Sequence, residues 1–404
     1  MMLLKYAWRN MWRNRRRTMI TLAAVALNTA VLILFYALSI GMIEKTLRNV
    51  TGLVGGEAQA HARDYLEDQS LYKSLEKPEK IIAAANRIGV SAVPRTFGFG
   101  LAAKETKSAG AVFWGVRPEE ERAFSWVNHL LKGTFLKEKP GKEVVLGKKL
   151  ARQLRAEVGS EIIIVVQAAD GSMGNEIYVV QGILKAIGAS IDRGAVIMHE
   201  QDFRELFVLE DRIHEIAFHS KGRIDPEDLI TELSSDLGQA EVKSWKELMP
   251  VLADMLRLSD ILLLIFGGIF FVAAGLGVMN TMLMATYERM HEFGIQKAIG
   301  ASPLRIVTDV LAEAFTLSAA GTALGALLGY GVSYYLQFHG IDLSRFSEDL
   351  TIAGIAFDPV WYTAIVPKVI VMPMLIMCWV CVLASLYPAM VAALVKPVEA
   401  IHHH

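Results

Sequence analysis

The residues that could do chemistry are few and scattered. His214-Glu215 with His219 comes nearest to a zinc-protease helix. That chemistry needs two histidines four apart on one helical face, and these stand five apart in a strand-like run. Cys378-x-x-Cys381 has the spacing of a redox pair but lies inside an uncharged apolar run, where both thiols read as buried filler. They are the whole thiol inventory, so no disulfide framework is expected in the polar part of the chain. Asp309 and Glu313 lie four apart at the start of another apolar run. Ionisable groups at membrane depth point to function, while a helix protruding into the cytosol is the simpler account. No Gly-x-Ser-x-Gly elbow and no Gly-x-x-x-x-Gly-Lys-Ser/Thr phosphate loop occurs, so the chain is not expected to be an enzyme or to hydrolyse ATP alone. No metal site and no cofactor of its own is expected either.

The elements around these residues are dominated by membrane signals. Of 404 residues, 53% are hydrophobic and 21% charged, with a net charge of −1 that gives no footprint for nucleic acid. A bilayer core needs about 20 apolar residues in helix. Residues 18–43, 261–287 and 369–395 carry no charge, and 314–341 contains only His339. The reading is therefore a membrane-facing segment 1–17, spans at 18–43, 258–287, 303–338 and 368–395, and a folded domain at 44–257. Residues 288–302 form a loop helix, 339–367 a second loop, and 396–404 a tail whose His402, His403 and His404 read as a purification-tag remnant.

Lys5, Arg9, Arg13, Arg15, Arg16 and Arg17 precede the first span with no acid among them, which places the N-terminus in the cytoplasm. Alternation puts the large domain outside, the loop helix inside, the second loop outside and the C-terminus inside. The first apolar run is too long for a signal peptide and has no convincing small-residue cleavage site, so it reads as an uncleaved anchor. Leu3, Leu4, Ala7, Trp8, Met11 and Trp12 repeat at helical spacing opposite Lys5, Arg9 and Arg13. This is the pattern of an interfacial helix, with Trp8, Arg9, Trp12 and Arg13 anchoring it to lipid headgroups.

The large domain mixes periods. Residues 79–88, 148–156 and 227–237 have helical character, and 111–116 and 143–146 read as strands. Residues 161–166 and 177–184 form a hairpin with its tip at 167–176. The domain is α+β.

The most informative segment is 279–315. A short helix follows the second span, exposing Glu288, Arg289, Glu292 and Lys297; Gly300 stops it, and Ser302 with Pro303 starts the next helix. Its E-R-x-x-E-F-G-I-x-K-A-I-G-A-S resembles the signature of the FtsX-like permease family of ABC transporters, which includes LolC and LolE, the MacB exporters and FtsX. The resemblance extends to A-W-R-N-M-W-R-N-R-R-R at the start and Glu143-Val144-Val145-Leu146-Gly147 with Leu150-Ala151 and Gly159. It also takes in Tyr387-Pro388-Ala389 with Lys396-Pro397-Val398-Glu399-Ala400 at the end.

The resemblance implies an α-helical membrane protein with four spans and an α+β periplasmic domain, of the MacB and LolC type (type VII), in the bacterial inner membrane. Residues 288–301 would be the coupling helix, seated in a groove of a cytosolic ATPase dimer that carries the ATP and Mg. Glu288, Arg289, Glu292 and Lys297 would make salt bridges there, and Gly294, Ala298, Gly300 and Ala301 close contacts. A second permease copy, identical or paralogous, would complete the complex. Gly321, Gly325 and Gly329 form small-xxx-small steps suited to packing within the subunit or in that dimer. ATP-driven motion of the periplasmic domain would release lipoproteins or another envelope substrate from the outer leaflet, passing it to a carrier or adaptor. The short, proline-free hairpin tip speaks against carrier recruitment. The alternatives are a force-transmitting scaffold that activates a cell-wall hydrolase, as FtsX implies, and MacB-like efflux.

Overall fold

Helix α1 (Arg15–Val50) contains the whole first apolar run. Such a run is helical because hydrocarbon offers no water to its backbone, and the intrahelical ladder satisfies every peptide group. Two of its hydroxyls bond the helix's own carbonyls: Thr21 donates to that of Arg17 at 3.0 Å and Thr29 to that of Val25 at 2.8 Å. A 3₁₀ turn at Trp12–Asn14 leads straight into α1. In this computed structural model the described residues are 9, 12–234, 238–342, 351–352, 355–356 and 360–395. The interfacial pattern of Leu3, Leu4, Lys5, Ala7, Trp8 and Met11, and the tail from Lys396 onward, lie outside them.

The chain forms two units, one of residues 45–255 with 346–359, the other of the remaining segments. After α1, a π-helical turn at Thr51–Gly55 opens the inserted domain. The ten strands of its main sheet are β1 (Ala58–Ala62), β2 (Ser91–Lys104), β3 (Lys107–Val116), β4 (Leu130–Gly133), β5 (Glu143–Leu146), β6 (Glu161–Gln167), β7 (Met173–Leu184), β8 (Ala195–His199), β9 (Glu215–His219) and β10 (Ala240–Ser244). They run in the order β10-β1-β9-β2-β3-β8-β5-β7-β4, with β6 pairing β2 and β7. Helices α2 (Pro78–Arg87), α3 (Lys148–Leu154), α4 (Glu200–Phe207) and α5 (Pro226–Leu233) cover the sheet. Period-two alternation is clear in β6, where Ile162, Ile164 and Val166 are buried between exposed Glu161, Ile163 and Gln167.

The hairpin tip is shorter than the sequence suggests. Gln167 pairs with Met173, so residues 173–176 are strand and the turn is 168–172. Asp170 accepts from the Ser172 amide at 2.9 Å and Gly171 takes φ +84°, which together close the turn early.

The membrane unit continues with α6 (Pro250–Glu288), α7 (Met290–Ala298), α8 (Pro303–His339), α9 (Pro367–Ala384) and α10 (Leu386–Leu394). Four candidate spans are long and apolar enough to cross a membrane, the last formed by α9 and α10 together. That span is broken at Ser385 rather than continuous. Pro388 has no N–H to give the preceding turn, and the Ser385 hydroxyl bonds the Cys381 carbonyl at 2.8 Å. Val25, Leu32, Val278, Met282, Phe293, Ile306 and Met377 share one buried core in this unit.

Candidate functional site

Helix α7 sits between the second and third spans and is fixed by charges from far along the chain. Glu288 ends α6 and lies 2.7 Å from Arg17. Glu292 accepts from Arg13 at 2.5 Å and from Arg289 at 3.2 Å. Arg289 also reaches Glu313 of α8 at 2.7 Å, and its guanidinium lies 5.2 Å from the Phe293 ring centre. Lys297 donates to the carbonyls of Ala393 and Val395 at 2.6 and 2.8 Å, closing the C-terminal end of α10. Burial pushes the Glu292 carboxyl up, but the two guanidiniums outweigh it and hold it below the ordinary carboxylate range.

The four charged residues expected to lie free on the surface are thus engaged within the chain. Arg289 is only 13% exposed. The partners lie up to 279 residues away in sequence, so no local pattern could reveal them. Arg13, expected to anchor lipid, is the partner of Glu292; Arg9 and Trp12 are exposed. Gly294 is buried, Ala301 half-buried, and Ala298 and Gly300 exposed. Gly300 takes φ +97° and ends the helix, and Ser302 accepts from the Arg305 amide at 3.4 Å to begin α8.

Among the side chains that α7 and the start of α8 leave open are three large apolar ones. Ile295, Ile299 and Leu304 are 44%, 81% and 73% exposed. The sequence carries a signal for this patch: Ile295 and Ile299, four apart, share a helical face in a loop between two spans.

Gly321, Gly325 and Gly329 face α1. A Cβ on Gly325 would lie 2.5 Å from the Ala26 carbonyl oxygen and 2.6 Å from Thr29 Cβ; on Gly321 it would meet Val25 at 2.9 Å, and on Gly329 Ile33 at 3.0 Å. The small-residue stripe therefore seats the first span against the third within one subunit.

In the inserted domain, charge concentrates around fully buried Arg95. It makes two bonds to Glu121 at 2.6 and 2.9 Å, one to Glu215 at 3.0 Å and one to the Val54 carbonyl at 2.8 Å. Glu215 also bonds His61 at 3.2 Å. Burial pushes its carboxyl up, and His61 with Arg95 holds it below the ordinary value. His214 and His219 have separate partners, the Phe97 amide with the Leu71 carbonyl, and Glu57. No group of three or more metal-ligating side chains occurs among the described residues.

Four spanning helices tied at one end to a short loop helix, with a folded domain inserted after the first, define an ABC permease subunit with a large extramembrane domain. Residues 18–236 match the MacB-like periplasmic core domain family and residues 264–393 the FtsX-like permease C-terminal family. The chain belongs to the FtsX-like permeases that carry a MacB-like periplasmic core domain.

It is similar to the lipoprotein-releasing system transmembrane protein LolC of Neisseria meningitidis, 23% identical over 409 residues that cover 96% of this chain and 94% of that protein. It is also similar to the macrolide export ATP-binding/permease protein MacB of Wolinella succinogenes, 25% identical over 364 residues. There the match covers 83% of this chain and 53% of MacB, so the chain spans about half that relative's length. Among solved structures, the periplasmic region of MacB from Actinobacillus actinomycetemcomitans aligns with a TM-score of 0.36 at 15% identity, over 50% of this chain and 94% of that one.

Proposed function

We propose that this chain couples ATP hydrolysis by a separate cytosolic ATPase dimer to movement of its inserted domain on the periplasmic side of the bacterial inner membrane. Its N- and C-termini lie in the cytoplasm. The supporting observation is the tethering of α7. Arg13, Glu313 and the last carbonyls of α10 all bond this helix or its cap, so displacing it displaces the cytoplasmic ends of several spans together. The exposed Ile295, Ile299 and Leu304 supply the apolar contact for a groove in the ATPase, and the ion pairs hold that edge in place. ATP and Mg belong to the partner, and a second permease copy completes the complex.

The cargo is a lipoprotein drawn from the outer leaflet. That choice rests on the likeness to LolC, whose length this chain matches over 94%, against about half for the MacB relative. A turn of only five residues between β6 and β7 offers little for a periplasmic carrier.

The test is co-purification of the full chain from membranes, with Ile299→Asp and Leu304→Asp introduced together. The ATPase and acylated proteins should accompany the wild type, and the ATPase should be lost from the variant while its thermal midpoint is retained. An ATPase held equally by both would sink α7 docking. A cell-wall hydrolase without acylated cargo would replace extraction with force transmission.

A further inference from the structure

A second feature of the membrane unit is a groove of about 560 Å³ between α1, α6 and α9. This is the size of a small-molecule site. Phe35, Leu264, Phe271 and Met372 are among its apolar walls. Gly267 and Gly268 also line it, and a Cβ built on Gly268 would meet nothing within 4 Å, so the helix surface there is open.

Two charged residues, Asp260 and Lys368, line the same groove. Both are exposed, and among the described residues neither side chain makes an ion pair or hydrogen bond, with the other or with anything else. Their placement in the sequence is matched. Asp260 immediately precedes the uncharged run 261–287, and Lys368 immediately precedes 369–395. The second and fourth spans of a four-span chain run in the same direction, so both residues stand at one face of the bilayer, at headgroup level. From Asp260 to Phe271 is eleven residues of helix, about 16 Å, which is enough for much of an acyl chain.

An acid and a base that line one groove unpaired, at the top of an apolar slot, complement a ligand with both charges and a hydrocarbon tail. We infer that this groove holds a zwitterionic glycerophospholipid of the phosphatidylethanolamine type. Lys368 takes the phosphate, Asp260 the ammonium, and one acyl chain lies along Phe35, Leu264 and Phe271. The two charges divide the recognition. Lys368 serves any phospholipid, whereas Asp260 repels an anionic headgroup and selects the ammonium. The inference does not rest on the cargo or on the ATPase.

The experiment titrates the delipidated full-length protein with phosphatidylethanolamine or phosphatidylglycerol in mixed micelles and counts bound lipid by native mass spectrometry. The wild type should bind phosphatidylethanolamine in preference. Lys368→Gln should weaken both lipids about ten-fold, the scale of one charge-assisted hydrogen bond. Asp260→Asn should abolish the preference while leaving phosphatidylglycerol bound. Gly268→Leu, whose side chain enters open space, should block both without lowering the thermal midpoint. The inference is overturned if the charge variants bind as the wild type does, or if phosphatidylglycerol is preferred. It is also overturned if Gly268→Leu retains full binding, or if an acylated polypeptide, a second copy or no lipid occupies the groove.

Discussion

Arg289 holds its guanidinium 2.7 Å from the carboxylate of Glu313, and the two side chains are 13% and 7% exposed. One residue caps α7 and the other belongs to the third span, so this shielded pair joins the loop helix to the helix that follows it. Arg289 also bonds Glu292, which in turn bonds Arg13 ahead of the first span. A single guanidinium thus lies at the centre of a chain of charges running across three elements.

Glu313→Ala should cost about 3 kcal/mol, because it leaves a shielded guanidinium with one exposed partner. Replacing both, Arg289→Met with Glu313→Met, should recover most of that loss, since apolar side chains of similar volume can substitute for a buried pair. Thermal unfolding in detergent reads the first effect, and cargo-stimulated ATP turnover in the complex reads coupling. A double variant that is stable yet fully coupled would show that the ion pair is dispensable for transmission.

The glycine stripe gives an internal comparison on one helix. Gly325→Leu should disrupt seating of the first span on the third, because even its Cβ falls 2.5 Å from a backbone oxygen that cannot move alone. Gly331→Ala, six residues on, meets nothing within 4 Å and should gain about 0.5–1 kcal/mol from helix propensity. Thermal midpoints of the two variants check the pair. Equal effects would mean that the contact with Ala26 and Thr29 carries no strain.

The spans were legible because hydrocarbon imposes one local rule, a long uncharged helix, and Ser302 with Pro303 announced the start of α8 equally plainly. The hairpin was legible from β-branched runs on either side of Asp170-Gly171. Strands β1 and β10 were not, although β9 was legible as the strand-like run around His214 and His219. Ala58–Ala62 has no apolar alternation to read, since its pairing with β9 and β10 is set by partners more than 150 residues away. Arg95 was invisible for the same reason: a lone arginine in an apolar strand gives no local sign of Glu121 and Glu215. The charges of α7 were legible as charges, but what each one holds depends on helices that meet only in the folded chain.

Arg95→Met should destabilise the inserted domain by about 3–5 kcal/mol. It would leave Glu121 and Glu215 buried without their countercharge and the Val54 carbonyl without its donor. The loss should be read as early unfolding of the full chain, followed by fluorescence of Trp114 and Trp126, whose rings lie 5.8 and 5.9 Å from the guanidinium carbon. A midpoint within a degree or two of wild type would mean that the two carboxyls take up protons at little cost.

The last prediction concerns pH. His214 is fully buried, its Nδ1 accepts from the Phe97 amide at 2.9 Å, and its Nε2 faces the Leu71 carbonyl at 3.1 Å. Only the neutral ring with its proton on Nε2 satisfies both neighbours, because a proton on Nδ1 would confront the Phe97 N–H. Burial, aided by the charge of Arg212, pushes its pKa below the ordinary histidine value. The folded value is lower than the unfolded one, so the stability from this site is complete above about pH 6.5 and declines as pH falls through the folded value. Glu57 and Glu215, also held below their ordinary range, act with the same sign at lower pH. The thermal midpoint of the full chain should therefore be flat above about pH 6.5, fall gently below it, and fall more steeply below about pH 4.5. His214→Gln should start lower at neutral pH and show a smaller gentle phase, the remainder belonging to His129, whose pKa burial also lowers, while keeping the steep one. A wild-type midpoint unchanged down to about pH 5 would mean that the folded ring takes up its second proton as readily as the unfolded one, so that the Phe97 contact does not hold it neutral.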